Sequence, residues 1–288
     1  MSYQRISGIE QLFDVAEYFV IDLWGVLHHG GHIFPHAIAA LEAMQQAGKT
    51  FGFLSNAPRG AQVVREQLYQ RGLPKHLIEF VHTSGQEMLY YLEENPQAWQ
   101  SITALDIEAV GQELIDAMPL KWVSDLAQSD VILNTGLPFG QEDYSIFDHS
   151  LEQAAQRGQP IICANPDLWA LNGDALFPCA GLINQRFDHM GGQSYYFGKP
   201  YAPAYHSLAK MMKISKPERV MAIGDLIETD VLGGSRAGFR TCLIEGGVLA
   251  KQIGYQAGQS APEEALKLRF ENANANPDFI TPLFQLTP

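Results

Sequence analysis

Tyr18-Phe19-Val20-Ile21-Asp22-Leu23-Trp24-Gly25 opens with four large apolar residues in a row and is cut off by an aspartate. A strand with one wet face alternates apolar and polar residues, whereas an unbroken run suits a strand buried on both faces, as in a parallel sheet flanked by helices. Asp22 falls where such a strand ends. Downstream, Ile38, Leu41 and Met44 recur at helical spacing between Pro35 and Ala47, and Gly48 offers a stop. A second apolar run, TFGFLSN, ends in Ser55 and Asn56, and AQVVREQLYQRGL follows as an amphipathic helix closed at Gly72. Strand and helix thus alternate, which predicts a mainly parallel, right-handed wound sheet with its ligands beyond the carboxyl ends of the strands.

Further along, Ile78 to Val81 reads as a third strand followed by a helix to about Glu93, and the polar, proline-containing Glu94 to Gln100 marks a boundary. The segment beyond it has its own alternation, with strands at Ile102 to Ala104, Val131 to Asn134 and Pro160 to Ala164 and a helix over Tyr144 to Arg157. The glycine-rich Asp188 to Gln193 reads as a hinge. Strands near Tyr195 to Phe197, Val220 to Ile223 and Thr241 to Ile244 then frame helices over Pro203 to Lys213 and Thr229 to Ala237. The expected organisation is a discontinuous α/β core, 1–94 and 193–288, with a small α/β layer inserted at 95–192. The proline-broken tail ANANPDFITPLFQLTP receives no assignment.

Composition narrows the function classes. With 46% apolar and 18% charged residues, the 288-residue chain is no disordered polymer. Nineteen basic against 32 acidic side chains give −13, a field that repels nucleic acid and anionic membranes. No signal-peptide core and no apolar run of ~18 residues is present, so no membrane partner is expected. Cys163, Cys179 and Cys242 are scattered and odd in number, which argues against a disulfide framework and for the cytoplasm. Whether the chain is a homo-oligomer is left open.

Four strands end in residues suited to one phosphate and one metal: Asp22, the pair Ser55 and Asn56, Lys199 in FGKPY, and Asp225 in GDLIETD. A lone strand-end aspartate is ordinarily a terminator or helix cap. Together, these residues supply a carboxylate nucleophile, a hydroxyl or amide donor, a cation and metal ligands, the set that phosphoryl transfer requires. Asp225 and Asp230, five apart across a strand-to-helix junction, could surround one hard cation, with Asp230 standing behind Asp225. His28, His32 and His36 fall at four-residue intervals, but Gly30, Gly31 and Pro35 preclude one helix presenting them to zinc.

DLWGVL, LSN, GKP and GDLIETD, in that order, resemble the four motifs of the haloacid dehalogenase (HAD) superfamily. The insertion between the second and third motifs, with ICANPD near its end, resembles the NagD-like class IIA branch of sugar- and nucleotide-phosphate phosphatases. The resemblance implies a Rossmann-like core, a mobile α/β cap and a small phosphate ester as substrate. It further implies Asp22 as nucleophile forming an aspartyl-phosphate, Ser55 and Lys199 on the phosphate, and Asp22, Asp225 and the main-chain carbonyl of Trp24 on Mg²⁺. Asn165, Pro166 and Asp167 match the family's substrate-facing cap loop, and Asn56 joins them as a substrate contact.

One position departs from the pattern. The family's second aspartate of the first motif, its general acid and base, is Trp24 here. Indole exchanges no proton at neutral pH, and general acid–base catalysis is worth roughly 10²- to 10⁴-fold. Weakened turnover is therefore expected, with His28 or His29 as candidate substitutes on the same loop. A phosphometabolite-binding protein on a degenerate HAD scaffold is the alternative expectation.

Overall fold

The computed structural model describes residues 3–138, 140–172 and 175–288 and contains two parallel sheets. The larger has seven strands. Its centre is Tyr18–Ile21, flanked by Thr50–Ser55 and then Phe80–Thr83 on one side, and by Val220–Gly224, Arg240–Ile244, Phe279–Thr281 and Gln4–Arg5 on the other. The unbroken apolar runs have a direct cause. Phe19, Ile21 and Phe53 pack with Leu41 and Met44 on one face, while Val20 and Leu54 pack with Tyr205 and Leu208 on the other. Each fully buried side chain of this size contributes about 1.5–3 kcal/mol relative to exposure, so the sheet is held from both faces.

The smaller sheet has five parallel strands in the order Ser194–Tyr196, Ile161–Cys163, Val131–Asn134, Ser101–Ala104, Lys121–Trp122. It too is covered on both sides: Ile102, Leu133 and Ile162 pack with Met88, Leu89 and Leu92, while Ile132 and Ile161 pack with Leu151 and Phe187. Ser194–Tyr196, expected to open the return to the core, pairs instead with Ile161–Cys163, because Tyr195 packs with the apolar cluster of the smaller sheet. An antiparallel hairpin, Trp169–Asn172 with Ala175–Pro178, extends from this layer.

Two further elements differ from the sequence expectation. The helix expected over Tyr144 to Arg157 starts as a tight 3-10 turn, Tyr144–Phe147, before Asp148–Arg157. The helix expected from Thr229 starts at Ile227 as a π-helical turn, Ile227–Val231, followed by Leu232–Arg236. Such turns occur frequently at functional sites. Here the turn folds Asp230 back so that its Oδ2 accepts the Leu226 N–H at 3.1 Å.

Candidate active site

Each candidate side chain stands at the carboxyl end of a strand because the strand's last apolar residue hands the chain to a loop. Asp22 follows Ile21, Ser55 ends its strand with Asn56 next, and Asp225 follows Gly224. Lys199 arrives from the linker after Ser194–Tyr196, held by Asn56, whose Oδ1 accepts the Lys199 N–H at 2.7 Å while its Nδ2 donates to the Lys199 carbonyl at 3.0 Å. The Lys199 ammonium then donates to Asp22 Oδ1 and, at 2.7 Å, to Asp230 Oδ1.

Carboxylate oxygens of Asp22, Asp225 and Asp230 lie within 4.8 Å of one another, all buried. Three carboxylates face one ammonium, and the electrostatics carry that imbalance. Burial pushes the Asp22 carboxyl up to about 7, opposed by Lys199 and reinforced by Asp230. Burial also raises Asp225, helped by the charges of Asp22 and Asp230. Desolvation works against the Lys199 charge, yet Asp22, Asp230 and Asp167 outweigh it and hold the ammonium well above its ordinary pKa. A buried cluster of hard oxygen donors with an excess of negative charge fits a hard divalent cation.

The backbone leaves the Asp225 carboxylate room at two glycines. A Cβ at Gly25 (φ +86°) or Gly247 (φ +69°) would stand 2.0 Å from Asp225 Oδ2, and the next amide, Val248 N–H, donates to that oxygen at 2.8 Å. Gly247→Ala is expected to destabilise the fold by about 1–3 kcal/mol through strain and to displace Asp225. Gly48 has the same φ of +69° with nothing within 4 Å. Gly48→Ala therefore isolates the strain, and only Gly247→Ala is expected to weaken metal-dependent activity, about tenfold or more, read by melting curves beside Mg²⁺ titrations of rate.

The inserted layer closes over this cluster around a cavity of about 620 Å³. Asp22, Trp24, Ser55, Asn56, Asn165, Asp167, Lys199, Asp225 and Asp230 all line it. Of the substrate-loop candidates, Pro166 is buried behind the lining, with its carbonyl packed against Gly181. Polar contacts join the layers: Asn56 Nδ2 donates to Asp167 Oδ1 at 2.9 Å, and Arg59 pairs with Glu113 at 3.1 Å. Ser55 Oγ accepts the Ala57 N–H at 3.2 Å.

Trp24 has its own role in this closure. Its indole N–H donates to the Leu171 carbonyl of the hairpin at 2.6 Å, tying the first motif to the cap. The ring of His28 meets it edge-on at 5.0 Å. His28 Nδ1 accepts the Gly30 N–H at 3.0 Å, so a neutral ring keeps its proton on Nε2. Burial, then the charge of Arg71, lowers its pKa to about 3, so it holds no exchangeable imidazolium proton at neutral pH. His29 packs edge-on against Phe34 and His36 stacks on the same ring. Among the described residues, Asp22, Asp225 and Asp230 form the one cluster with metal-ligand spacing.

Sequence reading missed three parts of this site. Gly246 and Gly247 lead into Val248, whose N–H donates to Asp225, and a glycine pair just after a buried strand was the available signal. The hairpin was signalled by Asn172-Gly173 between two short apolar runs. Arg59 and Arg71, which also line the cavity, carried no local signal.

An inserted layer closing over strand-end carboxylates places the molecule among the capped α/β hydrolases. Residues 19–116 match the model of the haloacid dehalogenase-like hydrolases and residues 196–282 a second HAD-hydrolase-like model. Chronophin of Mus musculus is 25% identical over 254 residues, 85% of this chain and 86% of its own. The ribonucleotide monophosphatase NagD of Escherichia coli K12 is 29% identical over 101 residues, 35% of this chain and 39% of its own. A haloacid dehalogenase-like hydrolase of Brucella suis 1330 superposes with a TM-score of 0.78 at 26% identity, over 98% of this chain and 99% of that one. The chain belongs to the haloacid dehalogenase-like hydrolases, in their class IIA, NagD-like phosphatase branch.

Proposed function

We propose that the protein is a Mg²⁺-dependent phosphatase that hydrolyses a small phosphorylated metabolite, of the sugar phosphate or nucleotide class, through an aspartyl-phosphate on Asp22. The observation that carries this reading is the single buried ammonium of Lys199 shared between Asp22 and Asp230, with Asp225 beside them in a capped cavity. Asp22 Oδ attacks phosphorus, the ester P–O bond breaks, and the leaving oxygen departs as the alcohol. Water then attacks the aspartyl-phosphate, the Asp22–phosphorus bond breaks, and phosphate and the free carboxylate result.

Lys199 and the Ser55 hydroxyl hold phosphate oxygens in this scheme, and Asn56 fixes the Lys199 backbone. Asn165, Pro166 and Asp167 bring the cap loop to the substrate, and Asn56 and Asp167 join the two layers. Asp22, Asp225 and the Trp24 carbonyl would hold Mg²⁺, with Asp230 behind them, and the ion would offset charge on the phosphate oxygens. Trp24 supplies no proton, so the leaving group takes its proton from water and turnover is slow for the fold. The relative named as a ribonucleotide monophosphatase supports the substrate class. Among the described residues, no helix is long and apolar enough to cross a membrane. Three buried free cysteines and the net charge of −13 support a cytoplasmic protein without a nucleic-acid partner.

A panel of phosphomonoesters assayed for phosphate release with Mg²⁺ and with EDTA tests the reading. Release with Mg²⁺ that falls about 100-fold or more on chelation is the expected result. No release from any ester in the presence of Mg²⁺ would refute it.

A further inference from the structure

The cavity holds two guanidinium groups besides Lys199, those of Arg59 and Arg71. Arg59 has an acid partner, Glu113 of the inserted layer, at 3.1 Å. Arg71 is half-buried at the end of the helix Ala61–Gln70, and among the described residues its side chain makes no hydrogen bond or ion pair. Glu108 and Glu142 line the inserted layer's side of the same cavity, and neither pairs with it. In a chain with 32 acidic side chains against 19 basic ones, an arginine left without an acid inside a cavity is not explained by surface charge balance. Burial, then the like charge of Arg59, lowers its pKa.

Arg71 does not serve the reacting centre. The ion pairs of the reacting cluster join Lys199 to Asp22 and Asp230, and Arg71 takes part in neither. A guanidinium held partly out of water, beside a second one, has the donors for a carboxylate or phosphate in bidentate geometry.

We infer that Arg71, with Arg59 beside it, receives a second anionic group carried on the leaving part of the substrate. This inference rests on the phosphatase reading and narrows its substrate class to phosphate esters with a further carboxylate or phosphate. Matched pairs of probes test it. Phosphoglycerate against glycerol phosphate reads a carboxylate, and fructose bisphosphate against fructose monophosphate reads a second phosphate.

In one pair or the other, the ester with the second anionic group is expected to exceed its partner in kcat/KM by about tenfold or more, the scale of a charge-assisted hydrogen bond. Arg71→Gln is expected to erase that advantage, mainly through KM, and Arg71→Lys to keep part of it. The pair that responds identifies the anion. An advantage absent in both pairs, or unchanged in Arg71→Gln protein whose melting temperature matches wild type, overturns the inference. If wild type hydrolyses none of the four esters, the phosphatase reading is decided separately by the wider phosphomonoester panel. Calorimetric binding of the same pairs then decides the subsite by the same tenfold difference and its loss in Arg71→Gln.

Discussion

Asp22→Asn is expected to lower phosphatase turnover by at least about 10⁴-fold, the scale seen when a covalent nucleophile is removed, while leaving a folded protein. The amide has the size of the carboxylate and can still accept from Lys199, so the packing around residue 22 is preserved. What it lacks is the charge that attacks phosphorus. Mass spectrometry of protein quenched during turnover checks the step directly: wild type is expected to carry one added phosphoryl group and Asp22→Asn none. An Asp22→Asn protein retaining more than a few per cent of wild-type rate would remove Asp22 from the chemistry.

The same substitution has an opposite effect on the ion-free fold. Burial first, with Asp230 adding to it, raises the Asp22 carboxyl from 3.8 to about 7. Between those values the native state binds more protons than the unfolded chain, so this group's contribution to stability declines as pH rises from about 4 to about 7, then levels off. In EDTA, Asp22→Asn is therefore expected to melt higher than wild type above pH 7 and to show a shallower decline across that window. Mg²⁺ is expected to reverse the order by stabilising wild type. Melting curves at pH 5 and pH 8, with and without Mg²⁺, read both effects.

The site's core was legible because its residues are placed by local rules. An apolar run without polar alternation must be buried on both faces, its end must meet solvent or a ligand, and Asp22, Ser55 and Asp225 occupy such ends. Lys199 was legible for the same reason, although the strand before it pairs with the smaller sheet rather than the core. What escaped is non-local. Phe279–Thr281 is three residues long and followed by a proline, yet it completes the large sheet beside Arg240–Ile244, with Gln4–Arg5 at its outer edge. No periodicity shows in so short a run. Likewise the pairing of Arg59 with Glu113, and the lack of an acid partner for Arg71 among the described residues, depend on where the inserted layer docks, which no window of sequence contains.

Trp24→Asp separates two consequences of the tryptophan that stands two residues after Asp22. A carboxylate there lines the cavity beside Asp22 and can protonate the leaving oxygen, so kcat toward ordinary phosphomonoesters is expected to rise about 10- to 100-fold, within the range for a positioned acid–base. The same change removes the indole that donates to the Leu171 carbonyl at 2.6 Å, and with it a tie between core and cap. Loss of one such hydrogen bond is worth about 0.5–1.5 kcal/mol, about two- to tenfold in KM. Trp24→Ala loses the tie without gaining the acid, so it is expected to raise KM by a similar factor and leave kcat low. If Trp24→Asp and Trp24→Ala behave alike, or if wild type already turns over as fast as Trp24→Asp, the missing proton donor does not limit this enzyme. The indole's hydrogen bond to the cap would then be the reason a tryptophan stands at residue 24.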